Sequence, residues 1–249
     1  MRKIAISLSK GGVGKTTTAV NLAVALAKNQ AKVLLIDTDT QGQVSAMLGI
    51  EPELGLAEVI LGETKAQDAL VEARKNCWLL SGGRALAGVK RFIARQEIGG
   101  ERMLQECLSE IENNFDYILL DTSPGWDVLT VNALFYAQEI IVPASLEPLT
   151  LQGLIEFNKS VASIQKYNKE LQVTYLLPTF LDGRVKKSTE ILNQLNKHYS
   201  QLICKPIRYN TRLAESPAYK QTIFEYAPTS YGAEDYLCFA ERILSDGRS

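Results

Sequence analysis

Nine consecutive residues near the start, Ser9-Lys10-Gly11-Gly12-Val13-Gly14-Lys15-Thr16-Thr17, combine glycines, lysines and hydroxyls in an order that suits phosphate. Glycine-rich backbone can turn its amides inward around an anion, and a helix starting directly after it adds the positive end of its dipole. Gly11, Gly12, Val13 and Gly14 would make that turn, with Lys15 reaching the β- and γ-phosphates and the Thr16 hydroxyl suited to a magnesium ion. The pattern G-x-x-x-x-G-K-[ST] is met except at its first position, where Ser9 stands. Two further groups bring carboxylates: Asp37 and Asp39 in DTDTQG, and Asp121 after YILL. Phosphoryl transfer to water needs charge neutralisation, a held metal and a positioned nucleophile, and carboxylates beside a phosphate loop serve the last two. A helix N-cap is the plainer role for one of the first pair.

These residues need strands to deliver them. Lys3 to Leu8 is a short apolar run ahead of the loop, and Ala19, Leu22, Ala23 and Leu26 recur at helical spacing behind it, with Asn29 near the end. Further strands are expected at Lys32 to Ile36, Trp78 to Leu80, Tyr117 to Leu120, Glu139 to Val142 and Val173 to Leu177, with a weaker one near Ile203. Helical stretches fall between nearly all of them. Such alternation predicts an α/β fold, a mostly parallel twisted sheet flanked by helices on both faces, with ligands at the carboxyl ends of the strands. No repeat, linker or low-complexity segment interrupts residues 1-249, so one domain is expected.

Composition narrows the classes. With 249 residues, 46% hydrophobic and 22% charged, the chain is neither disordered nor fibrous. Its 27 basic and 28 acidic residues give a net charge of −1, so any nucleic-acid contact must come from a local patch. No apolar run approaches the ~20 residues of a spanning helix, and the start is too short for a signal-peptide core. Cys77, Cys107, Cys204 and Cys238 are scattered singly, as in a reduced cytosolic protein, and His198 stands alone.

The run KGGVGKTT, with Lys10 as a second lysine, resembles the deviant Walker A box of the ParA/MinD ATPase family. That resemblance extends over almost the whole chain and implies a P-loop NTPase fold, ATP and Mg²⁺ as ligands, and a homodimer in which Lys10 reaches the other subunit's phosphates. By the same resemblance, DTDTQG matches the family's D-x-D-P-Q-G with Thr40 in place of proline, and Asp39 is implied in magnesium-side and attacking water. Asp121 has the Walker B position, beside Thr16 on the metal. The following segment resembles D-x-P-P-S…TVNAL, matched in full by Thr130 to Leu134 but not at Ser123 and Gly125. Glu147 resembles the glutamate of P-x-x-x-E that contacts a partner's nucleotide; by residue type alone it is an acid at a helix start. The adenine pocket is implied near Thr179, Phe180 and Ile207 to Asn210, where Arg208 either stacks on the base or joins a basic patch.

That patch spans Arg184 to Arg212, with seven basic residues against Glu190 alone, a local excess of +6. Leu181 to Arg184 resembles the family's L/Y-D-x-R turn and Asn210 to Pro217 its N-V-R-L-S-E-A-P. The resemblance implies DNA contacts from Arg184 and Arg212, and Lys186 and Lys187 lie in the same footprint. No base-reading motif accompanies them, so the contact is expected to be non-specific and salt-sensitive. The expected function is a Mg-ATP-dependent, dimerising ATPase, slow without its partner, with Lys10, Lys15 and Asp39 catalytic. It would bind DNA in the ATP form, sit on the nucleoid in the cytoplasm, and position a plasmid, chromosome origin or protein organelle such as a carboxysome. A ParB-like or other cargo adaptor would stimulate hydrolysis. Alternatives are a MinD-like membrane-associated ATPase, which needs an amphipathic basic tail that LSDGRS does not supply, and a nucleotide-gated scaffold with negligible hydrolysis. An electron carrier with the same loop would need cysteines placed for an iron–sulfur cluster.

Overall fold

The computed structural model describes residues 1–247, so Arg248 and Ser249 of the tail just quoted lie outside the described residues. The strands are β1 (Arg2–Ile6), β2 (Val33–Asp37), β3 (Val71–Arg74), β4 (Cys77–Leu80), β5 (Tyr117–Asp121), β6 (Glu139–Ser145) and β7 (Gln172–Thr179). They form one sheet in the order β3-β4-β2-β5-β1-β6-β7, parallel except where β3 meets β4. β2 and β5 are buried along their whole length, which is why VLLID and YILLD read as continuous apolar runs ending in an acid.

Successive side chains alternate between the faces of the sheet. Ile4, Ile6, Val33, Leu35 and Leu119 feed one core, and Ala5, Leu34, Ile36, Ile118 and Leu120 feed the other. The helices in chain order are α1 (Lys15–Lys28), α2 (Gln43–Leu48), α3 (Leu56–Ile60), α4 (Leu86–Ala94), α5 (Met103–Leu108), α6 (Val128–Tyr136), α7 (Thr150–Ile164), α8 (Lys186–His198), α9 (Thr211–Glu215), α10 (Ile223–Tyr226) and α11 (Tyr231–Asp246). α3 to α8 cover the second core; α1, α2 and α9 to α11 cover the first. The expected α/β sheet with helices on both faces is therefore the fold. Ala233, Tyr236, Ala240 and Ile243 of α11 are buried against α1, and Thr18 and Tyr236 join across that contact through their hydroxyls at 3.1 Å.

Two differences from expectation have local causes. Near Ile203 there is no strand, only an isolated bridge to Leu176. Pro206, three residues on, has no N–H to give; the Ile207 N–H bonds the Pro178 carbonyl instead, and the next bridge joins Arg208 to Leu181. The sequence reading also passes over β3, because VEAR is short, polar at Glu72 and Arg74, and sits at the sheet edge. Neither change touches the carboxyl ends of β1, β2 and β5.

Candidate functional site

Ile6 and Asp37 both pair in register with Asp121, so the loops leaving β1, β2 and β5 emerge side by side. In the first loop Gly12 and Gly14 have φ of +72° and +87°, a region costly for any residue with a Cβ, and Gly14 caps the start of α1. Lys15 folds back over the loop, its Nζ donating to the carbonyls of Lys10 (2.8 Å) and Leu8 (3.2 Å). Burial lowers the Lys15 pKa, opposed by the charges of Asp121 and Asp39. Thr179, fully enclosed, donates its hydroxyl to the carbonyl of Val13 at 3.0 Å and so props the loop from behind. The Phe180 ring lies 3.4 Å from where a Cβ on Gly14 would stand.

The second loop separates its aspartates. Asp37 is buried and accepts from the amides of Asp39 (2.9 Å) and Val44 (3.2 Å), fixing the loop and the first turn of α2. That is a capping bond made from outside the N-cap position, which Gly42 holds. Burial raises its carboxyl to about 7 against those two bonds. Asp39 faces the cleft instead. Gly82, at the end of β4, presses on this loop: a Cβ there would lie 2.6 Å from the Asp37 carbonyl oxygen and 2.7 Å from that of Asp39. Nothing in the spacing of SGGR announces this support.

Asp121 is the anomaly of the site. Both its carboxylate oxygens are buried and neither accepts a hydrogen bond of ordinary geometry, the Thr16 hydroxyl being the donor at hand. Burial, then the charge of Asp37, pushes its carboxyl well above the ordinary range, against Thr16 and Lys15, which favour the ionised form. A buried carboxylate without partners is costly unless a cation or its water shell completes it. The residues present therefore fit a magnesium ion, with Thr16, Asp39 and Asp121 able to offer oxygens towards it. Among the described residues no group of three or more His, Cys, Asp or Glu side chains is placed to hold a metal ion by itself.

Gly11, Gly12, Gly14, Lys15, Thr16 and Thr17 on one side, Asp39, Thr40 and Gln41 on another, and Thr122 to Gly125 on a third enclose a cleft of about 580 Å³, with Phe180 at its edge. Residues 1–173 match the family described as an AAA domain. The sporulation initiation inhibitor protein Soj of Bacillus subtilis is 33% identical over 98% of each chain, and the chromosome-partitioning ATPase Soj of Thermus thermophilus is 35% identical over 98% of this chain and 96% of its own. The chain belongs to the ParA/Soj family of partition ATPases. Among solved structures, cobyrinic acid a,c-diamide synthase from Mycobacterium smegmatis, with bound ATP analogue and magnesium, is similar at a TM-score of 0.87 and 30% identity, covering 100% of this chain and 96% of that one.

Against the ParA/Soj expectation, several residues lie outside the cleft. Lys10 points away from Lys15: its Nζ is 2.5 Å from Glu147 Oε2 and 3.5 Å from Ser145 Oγ of the same chain. Glu147 sits three residues before α7, in the turn leaving β6, and its side chain meets Lys10. Arg208 is held by the buried Asp235 (2.6 Å) and by Glu234 (2.7 Å), with its guanidinium over the Tyr231 ring at 4.1 Å. Arg184 and Arg212 are exposed and lie on segments joined by the Leu181–Arg208 bridge and the Tyr209 N–H to Leu181 carbonyl bond. Arg184 pairs with Asp182 at 2.8 Å and Arg212 with Glu215 at 3.0 Å. Lys186 is almost fully exposed, 4.0 Å from Glu190, and Lys187 is exposed beside it on α8. The acids facing these three arginines all lie outside the window that counted +6, Asp182 and Glu215 just beyond its ends and Glu234 and Asp235 on α11, so the standing charge of the patch is smaller than the count. Sequence reasoning also missed two residues of the cleft wall, Lys90 and Asp127. They come from α4 and from the start of α6, where no motif marks them.

Proposed function

We propose that this chain is a Mg-ATP-driven switch: all 249 residues work as one unit that dimerises on ATP, holds DNA without sequence preference, and positions a cargo. The carrying observation is the meeting of Lys15, Thr16 and Asp39 at one cleft, with the buried, unsatisfied Asp121 beside them. A magnesium ion held there by Thr16 would supply the charge neutralisation that phosphoryl transfer to water requires. Lys15 holds the terminal phosphates, and Asp39 orients the water that attacks. Thr179 steadies the loop, Phe180 closes the cleft near the base, and Arg208 keeps to Asp235 as a brace behind it.

Lys10 is the residue of the dimer. In the single chain it is latched to Glu147, and on dimerisation it leaves that partner for phosphates of the facing subunit. The dimer then sets two copies of the surface carrying Arg184, Lys186, Lys187 and Arg212 side by side, which suits a phosphate backbone and the nucleoid. A cargo-borne adaptor, ParB-like or other, stimulates a slow intrinsic hydrolysis and returns the monomer. No helix among the described residues is long and apolar enough to cross a membrane.

Lys10→Ala tests the reading. ATP binding, followed with a fluorescent analogue, is expected within about threefold of the parent because Lys15 is untouched, while ATP-dependent dimers and DNA retention are lost. Dimers and DNA binding unchanged in Lys10→Ala would overturn it. Arg184→Glu with Arg212→Glu should remove DNA binding and leave dimers intact, and parental DNA binding should weaken steeply with added salt.

A further inference from the structure

The cleft wall opposite the phosphate loop is the turn after β5, Thr122 to Asp127, and it departs from the family pattern by having Ser123 where a proline is usual. The structure shows what the serine does. Its Oγ donates to Asp127 Oδ2 at 2.9 Å and lies 3.2 Å from the Thr130 hydroxyl, which itself donates to the Gly125 carbonyl at 3.0 Å. Asp127 is the N-cap of α6, its Oδ1 accepting from the amides of Leu129 and Thr130 at 3.0 Å each. The remaining contact on Oδ2 comes from another helix: Lys90 Nζ of α4 at 2.6 Å.

Lys90 sits beside Val89, which with Leu86 and Ile93 anchors α4 in the core, so the ammonium is carried by a fixed helix. It is also the one cation besides Lys15 among the cleft-lining residues described. Burial resists ionisation of Asp127, yet the bonds from Lys90, the Thr130 amide and Ser123 outweigh it and hold that carboxyl below its ordinary range. Proline would stiffen the turn covalently; here a charged anchor does so, reaching from Lys90 through Asp127 to Ser123.

We infer that Lys90 is a positioning residue for hydrolysis: through Asp127 and Ser123 it holds the Thr122–Gly125 wall, two residues from Asp121, in register with the phosphate loop. The inference rests on the ATPase reading above. It does not require Lys90 to touch nucleotide. It requires that removing the ammonium loosens the wall, lowers turnover and leaves phosphate binding to the glycine loop and Lys15.

The turn contains its own reporter, Trp126, 38% exposed and edge-on to Phe157 at 6.0 Å. In a Trp78→Phe background, acrylamide quenching of Trp126 in the nucleotide-free protein should rise measurably in Lys90→Met and in Asp127→Asn, whose amide keeps the helix cap. In the same variants kcat should fall about tenfold while the affinity for a fluorescent ATP analogue stays within about twofold. Lys90→Arg, able to pair with Asp127, should recover most of both signals, and Lys90→Met with Asp127→Asn should be no worse than either alone. Unchanged quenching in both single variants overturns the anchor whether or not the protein hydrolyses ATP. Raised quenching with parental turnover, or a double variant whose losses multiply, overturns the positioning role and spares the ATPase reading. A parent protein that binds and hydrolyses no ATP overturns both.

Discussion

Replacing Glu147 with glutamine asks whether the Lys10 latch opposes dimerisation. The pair is short, 2.5 Å, but open to water, with side-chain exposures of 35% for Lys10 and 59% for Glu147. Such pairs contribute about 0.2–1 kcal/mol each. Two latches open per dimer, so at about 0.5 kcal/mol apiece the dimer gains about 1 kcal/mol, close to a fivefold lower dissociation constant. Glutamine keeps a hydrogen-bonding end, so the substitution removes charge and little else.

The measurement is sedimentation or light scattering across a protein dilution series with a non-hydrolysable ATP analogue. It is best done at low salt, because screening shrinks the effect when ionic strength rises. Glu147→Gln should move the monomer–dimer midpoint to about fivefold lower protein concentration, and the shift should vanish in the Lys10→Ala background. A midpoint that stays put, or moves to higher concentration, would refute the latch. In the second case the Glu147 charge would belong to the closed dimer, as the family resemblance implies.

Two more outcomes follow from buried charge. Asp121→Asn should abolish magnesium-dependent hydrolysis yet stabilise the metal-free protein by about 1–3 kcal/mol, since an unpartnered carboxylate beside Asp37 is removed. Melting with EDTA present should show Tm raised by about 2–4 °C per kcal/mol, and a lowered Tm would contradict the account of Asp121. Arg208→Ala strips the 1%-exposed Asp235 of its guanidinium and should cost about 3 kcal/mol, the lower end for a broken buried pair because Arg208 is itself a third exposed. ATP affinity should hold within about twofold; an intact Tm with lost affinity would make Arg208 the base-stacking residue.

The phosphate loop, the capping and cleft-facing aspartates and Asp121 were legible because each is fixed by sequence-local geometry. A glycine turn must sit between a strand and a helix, and an apolar five-residue strand can end in an acid only where something receives the charge. The parallel sheet was legible for the same reason, through VLLID and YILLD. What escaped depends on long-range approach. Gly82 matters because its missing Cβ makes room for two carbonyl oxygens of a loop more than 40 residues earlier, and Lys90 matters because α4 brings it 2.6 Å from a helix cap 37 residues away. Neither relation leaves a periodicity or a spacing to read.

The cations of this chain show why pairing, more than counting, decides what a charge can do. Arg208 belongs by sequence to the basic stretch, but its partner Asp235 is enclosed, and freeing the guanidinium would leave a buried acid with the Arg208 backbone N–H but no countercharge. Arg184 and Arg212 are 85% and 58% exposed, and their acids, Asp182 and Glu215, are close neighbours in sequence. Exposed pairs of that kind contribute little, a cost that phosphate contacts with counterion release readily exceed. Lys10 stands with the second group, because its bond to Glu147 is as open to water as theirs. The proposed switch therefore needs no refolding: the residues that the proposal gives to the partner subunit and to DNA are those whose present partners are cheap to leave, and the brace at Arg208 is the one that stays.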